Sequence, residues 1–179
     1  MLFTDKSELR CTIRRRIAAL TAEQRAHKSA LIAAALLARN ELRTAHCIAL
    51  FAALADEPQT QSLIEQLALT HRVVLPRVTG EEMEFADYRA DAMCKGAFGI
   101  AEPAGCAVVS PAEIDVMVVP GVAFTAEGAR LGRGRGYYDR YLSRKGFRAT
   151  TIGVCFAEQL VATLPTEPHD KRVSAVVRG

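Results

Sequence analysis

The amino-acid sequence predicts an α/β fold around a mostly parallel sheet. Three observations predict it. Short apolar runs alternate with amphipathic stretches, residues 47–75 read as one strand–helix–strand unit, and neither an internal repeat nor a Pro/Ser-rich linker divides the 179 residues. One domain spanning 1–179 is expected.

The elements follow in order. Asp5 with Glu8 three residues on makes a capping box, and Leu9, Ile13, Ile17 and Leu20 then recur at helical spacing. Thr21 with Gln24 repeats that signal and opens a second, Ala-rich helix running to about Arg39, before Asn40. Residues 47–51 read as a buried strand, 60–69 as a helix, and 73–75 as a strand ended by Pro76. An edge strand is expected at 83–88, an apolar strand at 115–119 stopped by Pro120-Gly121, a short helix at 137–145, and strands at 151–156 and 173–177.

Composition narrows the class. Half the residues are apolar and 24% are charged, the balance of a globular chain with a substantial core. Met1 to Lys6 lacks a basic segment followed by an apolar one, and the longest apolar run, residues 30–38, falls far short of a membrane span. A cytoplasmic location is expected, with no membrane partner. Five cysteines, an odd number without C-x-x-C, support neither a disulfide framework nor a zinc site. The four histidines lack metal-ligand spacing, and no nucleophile elbow is present.

The net charge of +3 names no partner until it is resolved along the chain. Residues 130–148 carry seven bases against one acid, an excess of +6, and the first sixteen carry five against two, an excess of +3. The remainder sums to −6. The basic segment contains Arg130-Leu131-Gly132-Arg133-Gly134-Arg135-Gly136-Tyr137-Tyr138-Asp139. Alternate glycines let the backbone turn and bring N–H groups to a ligand, and the arginines between them offer forked donors to phosphate oxygens. That is the composition of a phosphate cradle, although the same string would serve an exposed Gly/Arg loop. It is neither G-x-G-x-x-G, because Tyr137 takes the place of the third glycine, nor a Walker loop. Lys6, Arg10 and Arg14, spaced by four, lie along one side of the first helix, as a solvated face would also have them. Asp139 could pair with an arginine or hold magnesium, and Asp170 is a second candidate for the metal.

These residues resemble the 5-formyltetrahydrofolate cyclo-ligase family. Residues 120–124 and 128–139 are similar to its signature, Lys6-Ser7-Glu8-Leu9-Arg10 to its N-terminal motif, Asp56-Glu57-Pro58-Gln59-Thr60 to its substrate loop, Phe98-Gly99-Ile100-Ala101-Glu102-Pro103 to its middle segment, and His169-Asp170 to its C-terminal one. The resemblance implies a three-layer α/β/α sandwich and an ATP- and magnesium-dependent conversion of 5-formyltetrahydrofolate to 5,10-methenyltetrahydrofolate, with ADP and phosphate released. Transfer of the γ-phosphoryl to the formamide oxygen would create a leaving group, and nitrogen 10 would then close the ring. Such chemistry asks for positioning and charge neutralisation rather than a nucleophilic side chain.

By the family pattern, Lys6, Arg10 and the loop of Arg130, Leu131, Gly132, Arg133, Gly134, Arg135, Gly136, Tyr137 and Tyr138 contact ATP, with Arg133 and Arg135 catalytic at the transferring phosphate. Residues 133–137 also touch the folate, together with Leu54, Glu57 and Gln59. Asp139 and Asp170 hold magnesium. The partners implied are the reduced folate and ATP, without nucleic acid, and the enzyme is expected to be a monomer. Two positions depart from the pattern: Gln59 stands where the family usually has an acid, and Arg135 where many members have Lys or Gly. The residues by themselves leave two other readings, a sugar-phosphate isomerase on a similar scaffold and a module binding RNA backbone. Against the second, aromatic residues are only 6% of the chain, with no Trp.

Overall fold

The computed structural model describes residues 5–96 and 99–179. Helix α1 (Lys6–Ala18) begins where the Asp5 carboxylate accepts N–H bonds from Ser7 and Glu8 at 3.1 and 3.2 Å. Leu9, Ile13 and Ile17 form its buried stripe. Helix α2 (Ala22–Leu37) carries the expected reciprocal Thr21–Gln24 capping box. Asn40 does not simply follow a helix end; it opens a further turn, α3 (Asn40–Thr44), after an extended Arg39. The reason is tertiary, since this turn buries Leu42 in the core.

Strand β1 (Cys47–Ala49), helix α4 (Gln61–Ala68) and strand β2 (Arg72–Thr79) form the expected parallel unit. Strand β3 (Glu82–Asp87) returns antiparallel beside β2, β4 (Met93–Lys95) and β5 (Ala101–Pro103) form a small separate sheet, and β6 (Val108–Val109) lies against β3. Strand β7 (Val116–Val119) leads to a hairpin of β8 (Ala123–Phe124) and β9 (Arg130–Leu131), then come α5 (Tyr137–Leu142), β10 (Thr150–Cys155) and β11 (Ala175–Arg178). The main sheet has the order β11-β10-β7-β1-β2-β3-β6, parallel from β11 to β2 and antiparallel beyond.

Strand β1 ends at Ala49 rather than 51, and three other boundaries differ from expectation for tertiary reasons. Pro76 does not end β2, which runs on to Thr79 paired with β3. The Val73 carbonyl faces β3, accepting from Tyr88, and the Val74 carbonyl faces β1, accepting from Leu50. Pro76 therefore turns its missing N–H to the β1 side, where β1 has already ended. Helix α5 stops at Leu142 rather than 145, which lets Phe147 come edge-on to Tyr141 at 6.0 Å. The last strand starts at Ala175, because Val173 bonds instead to Gly128 and Ser174 to Thr151. Strand β3 remains an edge for most of its length, since β6 pairs only with Phe85 and Ala86.

Alternation along the strands sends Ile48, Leu50, Val116, Val118, Ile152 and Val154 to one face under α1, α2 and α4. Ala49, Met117, Val119 and Cys155 go to the other, where α5 packs Tyr141 on Phe85 with centroids 4.8 Å apart. The result is the three-layer sandwich. The chain leaves β1 toward β2, while β7 lies on β1's opposite flank, so the strand order reverses between β1 and β7. In open α/β sheets the crevice beyond the carboxyl ends at such a reversal is where ligands bind. Gln159, 2% exposed, holds one rim by donating to the Gly121 and Val122 carbonyls at 2.9 and 3.1 Å.

Asp115 closes the other end of that crossing, accepting from the His46 and Cys47 N–H groups at 2.8 and 3.0 Å. The bond from Cys47, followed by that from His46, outweighs burial and holds the carboxyl below the usual range. A depressed carboxyl contributes stability above its unfolded value and loses it as pH falls. Asp115→Asn is expected to cost about 1 kcal/mol in urea unfolding at neutral pH, a difference that fades below about pH 4. A constant difference down to acid pH would remove Asp115 from this role.

Candidate active site

A cavity of about 290 Å³ opens at the strand-order reversal. The turn after β1 supplies Leu54 and Glu57, the turn after β7 supplies Pro120 and Gly121, and the whole segment from Arg130 to Asp139 lines one wall. Lys6 and Arg10 reach it from α1, and Asp170 from the C-terminal segment. Thus every expected site residue except Gln59 meets at one place. Gln59 donates from its amide to the Leu54 and Glu57 carbonyls at 3.0 and 3.1 Å, so it ties the loop from behind. A carboxylate there could not donate either bond. Leu131 points its side chain into the core and offers the cavity its backbone.

The glycine loop owes its path to local chemistry. Gly134 and Gly136 take φ of +104° and +69°, a region costly for side-chain-bearing residues, and Gly136 caps α5. Arg140 then donates to the Arg135 carbonyl at 2.9 Å, and Arg10 donates from Nε to the Gly132 carbonyl at 2.8 Å. Hydrogen bonds from two helices thus restrain the loop.

Three of the cavity's basic groups, Arg130, Arg133 and Lys6, meet acids. Arg130, 5% exposed, donates from Nη2 to Asp139 Oδ1 at 2.8 Å, and the same oxygen accepts the Lys171 N–H at 3.1 Å. Its guanidinium also lies 5.6 Å from the Tyr138 ring centroid, while its Nε is buried without a partner. Arg130 is therefore a wall of the site more than a projecting hand. Arg133 donates from Nη2 and Nη1 to Asp56 at 2.5 and 3.2 Å and from Nε to Glu57 at 2.9 Å. Lys6 meets Asp170 at 2.7 Å and also Glu167. Burial alone would raise the Asp170 carboxyl, but the Lys6 ammonium and the Glu167 N–H hold it below the usual range. Burial pushes the Tyr138 phenol well above its usual value, with the Glu57 carboxylate adding to the effect, so it stays a neutral hydroxyl.

Asp139 and Asp170, thirty-one positions apart, come to one wall because Lys171, next to Asp170, is bonded to Asp139. Asp139 Oδ2 and Asp170 Oδ1 accept no hydrogen bond from the described residues. Two carboxylate oxygens left open beside a basic wall fit a magnesium ion that takes its other positions from phosphate and water. The sequence reading missed Asp56, Glu167 and Glu102. Asp56 and Glu102 lay in segments already singled out; the pair with Arg133 reveals Asp56, and a place in the cavity wall reveals Glu102. Phe98, in the middle segment, lies outside the described residues.

Fold and site together define an α/β enzyme with an arginine-rich, carboxylate-edged cavity at the turning point of its sheet. A model of the 5-formyltetrahydrofolate cyclo-ligase family matches residues 3–179. The 5-formyltetrahydrofolate cyclo-ligase of Haemophilus influenzae is 35% identical over 97% of both chains, and that of Mus musculus 28% identical over 96% of this chain and 92% of its own. The structure of Aquifex aeolicus 5,10-methenyltetrahydrofolate synthetase superposes with a TM-score of 0.88 at 33% identity, covering 97% of this chain and 89% of that one. The chain belongs to the 5-formyltetrahydrofolate cyclo-ligase family. This displaces the isomerase and RNA-module readings. No helix among the described residues is long and apolar enough to cross a membrane.

Arg130→Met leaves the half-buried Asp139 carboxylate beside an apolar chain and is expected to cost about 2 kcal/mol. Urea unfolding reads the loss, and adding Asp139→Asn recovers part of it. Purely additive effects would show that the two side chains are not coupled.

Proposed function

We propose that this enzyme converts 5-formyltetrahydrofolate to 5,10-methenyltetrahydrofolate at the expense of ATP, with magnesium. The observation that carries the proposal is the mixed lining of the cavity: a charged set, Arg10, Arg133 and Arg135 with Asp139 and Asp170, and an apolar set, Pro76, Val78, Met83 and Ile100. The first set suits a polyphosphate and the second a flat heterocycle.

The formamide oxygen is a poor leaving group until it carries a phosphoryl group. Once it does, nitrogen 10 attacks the formyl carbon, the C–O bond breaks, and phosphate leaves as the ring closes. The chain's task is to hold donor and acceptor in line and to balance charge on the moving group. Lys6, Arg10 and the loop from Arg130 to Tyr138 bind the nucleotide, with Arg133 and Arg135 placed at the transferring phosphate. Leu54 and Glu57 face the folate, and Gln59 keeps their loop in register. Asp139 and Asp170 would hold magnesium, which supplies neutralisation of phosphate oxygens. Before the phosphate arrives, Asp56 and Glu57 keep the Arg133 fork folded onto the substrate loop. Reduced folate and ATP are then the partners, and the enzyme works as a cytoplasmic monomer.

The direct test is an absorbance assay for the methenyl product. Purified protein with 5-formyltetrahydrofolate and magnesium should form it only when ATP is added; turnover without ATP, or none with it, overturns the proposal. Arg133→Ala is expected to lower kcat about 100-fold with a much smaller change in ATP affinity, because charge on the phosphoryl group peaks in the transition state. Equal losses in both would assign Arg133 to binding alone.

A further inference from the structure

We propose that Glu102 reads the 2-amino-4-oxo edge of the substrate's pteridine ring, accepting hydrogen bonds from its 2-amino group and N3–H; this rests on the folate reading above. Glu102 lies on β5, opposite Cys94 of β4, and lines the cavity while being 5% exposed. Its Oε2 accepts the Val78 N–H at 3.3 Å, and Oε1 meets no donor among the described residues.

The contrast with the other cavity acids carries the argument. Glu57 pairs with Arg133, Asp139 with Arg130, and Asp170 and Glu167 with Lys6. Glu102 forms no ion pair among the described residues; its one printed donor is the backbone of Val78, and Pro76, Met83 and Ile100 are apolar residues of the same cavity lining. A carboxylate taken out of water without a counter-charge is costly, so a site that keeps one gains by receiving donors from its ligand. The 2-amino group and N3–H of a 2-amino-4-oxo pteridine are two parallel donors at the spacing of a carboxylate's oxygens. Rings lacking that donor pair would leave the carboxylate unsatisfied, which is how such a site discriminates.

The backbone makes room for this side chain. A Cβ on Gly96 would fall 2.1 Å from Glu102 Cδ and 2.5 Å from Oε1, so only glycine leaves the carboxylate where it stands. Position therefore depends on β4's end as well as on Glu102 itself.

The plain alternative is that Glu102 merely secures β2 through Val78. Glu102→Gln separates the two, since the glutamine carbonyl still accepts from Val78 while the charge and one acceptor are lost. The proposal expects KM for 5-formyltetrahydrofolate to rise about 10- to 100-fold, with kcat and the KM for ATP changing far less. On unaltered enzyme, 2-desamino-5-formyltetrahydrofolate should show a comparable rise, and Glu102→Gln should add little to it. An unchanged KM in the variant, or full additivity of variant and analogue, overturns the proposal. If the variant fails to fold, the analogue decides alone: a KM equal to that of the natural substrate overturns the proposal. Absence of any turnover by the unaltered enzyme would instead sink the folate reading, and this assignment with it.

Discussion

The pair of buried Arg130 and half-buried Asp139 holds the site together. It joins strand β9 to helix α5, and through the Lys171 N–H on the same carboxylate oxygen it also captures the C-terminal segment. An ion pair withdrawn from water gains little net stability, because desolvation offsets much of the attraction. What it confers here is position: three stretches separated in sequence are fixed to a single carboxylate. Together with the bonds of Val173 to Gly128 and Ser174 to Thr151, that anchor keeps Asp170 and Glu167 on the side of Lys6.

Around that anchor the charges are balanced locally. The N-terminal and glycine-loop segments, both strongly basic, converge on one cavity, yet Arg133 is held by Asp56 and Glu57, and Lys6 by Asp170 and Glu167. Pairing of this kind lessens repulsion among the cavity's cations, and partly solvated ion pairs are weak enough to yield to the anionic ligand proposed above. Asp139 keeps one oxygen uncommitted for the same reason that Arg130 needs only the other. Glu102 stands apart, a cavity carboxylate with only a backbone N–H to satisfy it.

Much of this was legible in the chain because local physics carries it. The Asp5 and Thr21 caps, the continuous apolar runs within 47–51 and 115–119, and the glycines that turn the basic loop all act over a few residues, and the structure has caps, buried strands and turns there. Pro76 and Asn40 misled because their effect depends on neighbours: Pro76 lies in the strand where β1 has already stopped, and Asn40 starts a turn that pays by burying Leu42. The two-residue strands β8 and β9 have no periodicity to read.

The sequence by itself determined the α/β class, the order of the main elements and the segments that carry charge, since these follow from short-range propensity and pattern. Through motif resemblance it also named most of the residues that line the cavity. Tertiary structure alone decided that the strand order reverses between β1 and β7, that Asp139 and Asp170 share a wall, that Gln59 braces a loop instead of lining the cavity, and that Glu102 is left without a cation. Those facts depend on contacts between residues far apart in the chain, and no local propensity encodes which distant carboxylate a given arginine will meet.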